Sequence, residues 1–105
     1  MTLKSSFKPE FGKWFKKLPL PIREKAHKAF KNFEKQDQSS FSCGLEFKQL
    51  TGTLHSIRID DNYRALGHKV GDIVYWEWIG PHDEYMRRIK WRYKLPWSTL
   101  SSEQE

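Results

Sequence analysis

A chain of 105 residues with 15% aromatic side chains carries enough apolar area for one buried core and too little length for a second domain. Its net charge of +6 is uneven: residues 1–35 hold ten Lys/Arg against three acids, and residues 36–105 hold nine against ten. The single Cys43 excludes an internal disulfide, and neither a signal-peptide core in Met1–Phe7 nor a run near the ~20 apolar residues of a membrane span is present, so the expected location is the reducing cytoplasm, with no membrane partner.

Taken in chain order, Pro9 suits the first turn of a helix reaching about Leu18, with Phe11, Trp14, Phe15 and Leu18 on one face. Leu18-Pro19-Leu20-Pro21 breaks that helix. Pro21 opens a second one to about Gln36, with Ile22, Ala26, Ala29, Phe30 and Phe33 as its buried stripe and the lysines outside. Residues 37–44 are turn-rich, and after them the periodicity changes from helical to two. Strands are expected at Leu45–Leu50, Leu54–Ile59, Tyr63–Val70 and Ile73–Ile79, joined by Thr51-Gly52, Asp60-Asp61-Asn62 and Gly71-Asp72. The polar stretch His82–Arg88 reads as a short helical turn or an ordered loop. The fold class is therefore α+β: a helical hairpin packed on one face of a twisted antiparallel sheet of about four strands. Residues 1–96 form the domain, and residues 97–105 form a polar tail expected to fray.

Strand alternation sorts the sheet residues onto two faces. Ile57, Ile59, Tyr63, Ala65, Val74, Trp76 and Trp78 fall on the face covered by helices. Ser56, Arg58, Arg64, Leu66, His68, Tyr75 and Glu77 fall on the open one, joined by His82 and Tyr85 from the loop after the last strand. One β-bulge would exchange part of this assignment. Cleaving RNA without a metal requires a base for the 2′-OH, a cation for the phosphate and an acid for the leaving oxygen. Imidazole, with an ordinary pKa of about 6.5, serves either proton role, which makes His82 the first choice for it, set against a histidine that merely caps the turn after Gly80-Pro81. Arg64 is the phosphate clamp, set against a structural ion pair with Glu77, and Arg58 is a second clamp.

Around them, Lys48 and His68 are expected to touch RNA. Arg87, Arg88 and Trp91 join them from a basic cluster, interleaved with aromatics, that continues through Lys90, Arg92, Tyr93 and Lys94. The excess of lysine at the N-terminus fits equally a solvated face or an acidic protein partner. No phosphate-binding glycine loop, GxSxG or HExxH is present, and the four histidines are scattered, so no metal or cofactor is expected.

The run Ser56-Ile57-Arg58-Ile59-Asp60-Asp61-Asn62-Tyr63-Arg64-Ala65-Leu66, followed by Val74-Tyr75-Trp76-Glu77-Trp78-Ile79-Gly80-Pro81-His82-Asp83-Glu84-Tyr85, resembles the RelE/ParE superfamily of bacterial toxins, and most its ParE-like branch. Leu18-Pro19 before the second helix and Leu45-Glu46-Phe47-Lys48-Gln49-Leu50-Thr51-Gly52 before the meander match the same pattern, so the resemblance covers about residues 11–88. It implies the fold already read from periodicity and a toxin of a type II toxin–antitoxin pair, with a cognate acidic antitoxin as partner. In the RelE branch such a toxin cuts mRNA, usually on the ribosome; ParE instead poisons DNA gyrase, and a degenerate member would only bind. By position the resemblance assigns functional roles to Arg64, Arg58, His82 and Tyr85. Ser56 stands where RelE has a basic residue, which leaves a thinner basic set.

Overall fold

The computed structural model describes residues 3–35 and 47–91. The chain forms β1 (Lys4–Phe7), α1 (Pro9–Phe15), α2 (Leu20–Lys35), β2 (Lys48–Thr51), β3 (Leu54–Asp60), β4 (Tyr63–Val70), β5 (Ile73–Pro81) and α3 (His82–Trp91). Among the described residues the sheet has five strands in the order β1-β5-β4-β3-β2, one more than the sequence predicts. The extra strand, β1, pairs parallel to β5, and all other pairs are antiparallel. The turn-rich stretch 37–44, the start of the first expected strand at Leu45 and the tail from residue 92 lie outside the described residues.

Local chemistry sets the helix limits. Pro9 occupies the first turn of α1, where its missing N–H costs nothing, and Glu10 complements the positive end of the helix. The helix stops short of Leu18 because the chain tightens there: Lys17 N donates to Trp14 O at 3.2 Å and Leu18 N to Phe15 O at 3.1 Å, just ahead of Pro19. In α2 the stripe Ala26, Ala29, Phe30 and Phe33 is buried as its spacing predicts. Gly52 and Gly71, at φ of 51° and 65°, make the tight turns of the meander, a conformation side chains with a Cβ resist.

The edge strand β1 is held by its ladder to β5, with Lys4 N on Asp72 O at 2.8 Å and Lys8 N on Trp76 O at 3.0 Å. Trp76 Nε1 also donates to Ser5 Oγ at 3.0 Å. On the outer side, Ser5 N donates to the Glu34 carboxylate at 2.7 Å, which occupies a hydrogen-bonding position on the edge.

A bulge in β5 decides which side chains face which layer. Gly67 pairs with Trp76 and Leu66 with Trp78, leaving Glu77 as the extra residue. Trp76 therefore packs under the helical hairpin with Phe11, Phe30, Phe33, Ile57, Ala65 and Val74. Trp78, expected on that same side, sits on the opposite face with Leu54, Leu66, Tyr85 and Ile89. The polar segment after Pro81 is a full helix of ten residues, α3, whose Tyr85 and Ile89 form the lid of this second core. Among the described residues no helix is long and apolar enough to cross a membrane.

The second core tolerates no added volume beside Trp78. A Cβ on Gly80 would lie 2.5 Å from Trp78 Cζ2, and that indole is only 1% exposed. Gly80→Ala is expected to cost roughly 1–3 kcal/mol through overpacking. Urea unfolding followed by tryptophan fluorescence checks this, with a lowered midpoint and an unchanged slope.

Candidate functional site

The sheet face opposite the hairpin carries the polar residues that alternation predicts, but α3 crosses its middle and divides it into two ends. At one end β3 and β4 place Arg58 and Arg64 directly opposite each other, and Arg64 is also paired with Gly80 of β5. Two residues beyond Gly80, His82 starts α3, and its backbone N donates to Asn62 O at 2.7 Å, which fixes the helix start against the β3–β4 turn. The ring of His82 is half-buried and tilted against Tyr85, with centroids 5.7 Å apart. Two guanidiniums and an imidazole are thus gathered where the ends of three strands, a turn and a helix start converge.

Like charges directly opposite on neighbouring strands repel, so this pair needs compensation. Arg58 has it in Asp61, which it contacts through Nη2. Arg64 is half-buried and has only neutral acceptors: its Nη1 donates to Asp60 O at 2.6 Å and Tyr63 O at 3.1 Å, and it forms no ion pair among the described residues. The expected alternative, an Arg64–Glu77 pair, does not form, because the bulge gives Glu77 to His68 at 2.8 Å. A guanidinium already positioned by carbonyls and lacking a carboxylate is suited to receive a phosphate.

The turn beneath this end is rigidly built. Asp60 accepts from Asn62 N at 2.8 Å and pairs with Lys25 of α2 at 3.1 Å. Partial burial works to raise the Asp60 carboxyl, but the Asn62 N–H, the Lys25 ammonium and the Tyr63 N–H outweigh it and hold it below the ordinary value of 3.8. The Asp-Asp-Asn motif signals the turn, whereas the Lys25 partner, 35 positions away, had no signal in the sequence.

Several expected RNA contacts take other roles. Tyr85 is fully buried, and its hydroxyl donates to Ser56 Oγ at 3.2 Å, so it neither stacks a base nor moves a proton at the surface. Arg88 stacks between two indoles, 5.1 Å from Trp14 and 5.4 Å from Trp78, and its Nε is buried without an acceptor. It ties α3 to α1, a structural cation–π contact. His68 is at the far end of the face and uses both ring nitrogens, on Thr53 and on Glu77. His55 lies on the hairpin side, stacked on Phe47 at 4.9 Å, and burial keeps its imidazole below the ordinary value despite the Thr53 carbonyl.

The remaining candidates stay accessible. Lys48, half-buried, is registered with Ser56 on the polar face. Arg87 and Trp91, four residues apart on α3, are exposed, Trp91 by 69%. Arg92, Tyr93 and Lys94 lie outside the described residues. Among the described residues no three His, Cys, Asp or Glu side chains gather into a metal-binding group. On the helical side, a groove of about 740 Å³ runs between β1, α1 and α2, walled by Phe7, Phe11, Phe15 and Phe30.

No protein-family model and no curated protein sequence matches the chain. Solved structures do. The chain is similar to a protein of the RelB–RelE antitoxin–toxin complex from Methanococcus jannaschii, with a TM-score of 0.62, 19% identity, and 77% of this chain and 94% of that one covered. It is similar to one of the archaeal RelE–RelB complex from Pyrococcus horikoshii OT3, with a TM-score of 0.59, 17% identity, and 77% and 96% covered. A third likeness is to the toxin–antitoxin complex RelBE2 from Mycobacterium tuberculosis, with a TM-score of 0.55, 20% identity, and 78% and 100% covered. The chain has the RelE fold.

Two substitutions separate architecture from chemistry at this end of the sheet. Tyr85→Phe removes the donor to buried Ser56 and is expected to cost about 1 kcal/mol of stability, read from denaturant unfolding, while leaving nucleic-acid binding unchanged. For Asp60 the folded carboxyl is depressed, so its stabilisation is complete above the ordinary value of 3.8 and disappears as pH falls through the folded one. Asp60→Asn is therefore expected to flatten the loss of stability below about pH 4, measured as denaturation midpoints along a pH series.

Proposed function

We propose that this chain is the toxin of a type II toxin–antitoxin system and that it cuts mRNA as a metal-independent endoribonuclease. The observation that carries the reading is the pairing of Arg58 with Arg64 across β3 and β4, with Arg64 lacking any carboxylate partner among the described residues, on a fold shared with RelE-type proteins. An RNA phosphodiester at this end would supply the missing negative charge.

In this mechanism Arg64 and Arg58 hold the non-bridging oxygens of the scissile phosphate and offset the charge that builds on them during attack. The His82 imidazole takes the proton from the 2′-OH, the 2′-oxygen displaces the 5′-oxygen at phosphorus, and the departing oxygen collects a proton from solvent or from the same imidazole. Arg87 and Trp91, on one exposed side of α3, hold a neighbouring nucleotide by charge and stacking. Tyr85 acts only by fixing α3, and through it His82.

The same reading includes a cognate antitoxin. The Lys-rich hairpin and its phenylalanine-walled groove suit an acidic amphipathic segment, whose attraction would weaken with salt. Nothing in the geometry favours a gyrase-directed activity over RNA cleavage, and the test keeps the two apart.

Induced expression of wild type, His82→Ala and Arg64→Ala, with transcript 5′ ends mapped and gyrase supercoiling assayed in parallel, decides the matter. New 5′ ends and growth arrest are expected with wild type alone. Growth arrest that survives both substitutions removes His82 and Arg64 from the mechanism, and intact transcripts with inhibited supercoiling move the target to gyrase.

A further inference from the structure

At the other end of the polar face, away from Arg58, Arg64 and His82, a second group of residues has the connectivity of a nucleophile. The hydroxyl of Thr53 is 2.8 Å from His68 Nδ1, and His68 Nε2 is 2.8 Å from Glu77 Oε1. Glu77 is the extra residue of the β5 bulge and is 9% exposed, whereas Thr53 is exposed on the turn between β2 and β3. With the buried carboxylate accepting the Nε2 proton, Nδ1 is left as the acceptor and the Thr53 O–H donates to it. A surface hydroxyl, an imidazole in the acceptor tautomer and a buried carboxylate behind it form the arrangement by which hydrolases activate serine.

The backbone holds this geometry in place. Gly52 at φ 51° makes the turn, Gln49 Nε2 donates to Gly52 O at 2.8 Å, and Lys69 N donates to Thr53 O at 2.8 Å. The Thr53 backbone is thus secured to β4 beside His68. Tyr75 is the residue paired with His68 in register, and Glu77 reaches the ring from the bulge two positions on.

We infer that Thr53 is a covalent modification site, a nucleophile toward activated acyl esters, with His68 as its base. The Thr53 oxygen bonds to the acyl carbon as its proton passes to His68 Nδ1. The bond from that carbon to the leaving oxygen breaks, and its electron pair departs with the alkoxide or phenolate. Glu77 balances the positive charge that appears on the imidazole. The product is an acyl-threonine at the β2–β3 turn.

The test exposes the full chain to 4-nitrophenyl acetate and follows acetylation of each residue by peptide mass spectrometry. Thr51, exposed at the end of β2, is the internal reference. General-base assistance predicts that Thr53 reacts on the order of a hundredfold faster than Thr51. His68→Asn is expected to bring Thr53 down to the Thr51 rate, and Thr53→Ser to keep the acetylation at position 53. Glu77→Gln, which retains a hydrogen-bonding partner for His68, is expected to slow the reaction and to displace the acid limb of its rate–pH profile toward lower pH. The inference fails if Thr53 reacts no faster than Thr51 in the wild type, or if Glu77→Gln changes neither rate nor profile.

Discussion

The bulge at Glu77 is the constraint from which both halves of the molecule follow. One extra residue in β5 lets Trp76 face the helical hairpin and Trp78 face the other way, so one strand supplies a large aromatic side chain to each of two cores. Burying an indole is among the largest single contributions a side chain makes, on the order of 3–5 kcal/mol when truncated to Ala. A regular strand would have put both indoles under the hairpin and left the opposite face without its large aromatic anchor for α3.

That anchor explains where the chemistry sits. With Trp78, Leu66 and Leu54 covered by Tyr85 and Ile89, Ser56 is buried beneath α3, and Arg58 and Arg64 lie at one end of the face and His68 at the other. At one end the start of α3 brings His82 beside the β3–β4 turn, and among the described residues Arg64 has carbonyl partners in place of a carboxylate. At the other, the bulge residue itself orients His68. Arg88, clamped between Trp14 and Trp78, links the second core to α1, so the position of α3 and hence of His82 depends on both layers.

Most of the architecture was legible in the sequence because its signals are local. The period-two runs gave the four strands from β2 to β5, Asp-Asp-Asn and Gly-Asp gave the turns, and Ala26, Ala29, Phe30 and Phe33 gave the buried side of α2. The missing pieces are those whose cause is distant. Lys-Ser-Ser-Phe has no alternation of its own and becomes β1 only by pairing with β5, some 70 residues away. The bulge has no marker residue, so Trp78 was placed on the wrong face. The stretch after Pro81 is dominated by charge, and its apolar spacing of Tyr85 and Ile89 becomes meaningful only once Trp78 is there to receive it. For the same reason Tyr85 read as a surface residue and Arg88 as an RNA contact. Arg58, Arg64 and His82 were legible because strand parity and the turn fix them without reference to the bulge.

The most direct test of the account is an NMR titration of the isotopically labelled protein with a short RNA oligonucleotide made uncleavable by 2′-O-methylation. Shifts are expected to concentrate on Arg58, Asn62, Arg64 and His82, to extend to Arg87 and Trp91 and to weaken with salt as phosphate contacts do. Shifts confined to the helical hairpin, or a spectrum that RNA leaves unchanged, would contradict it.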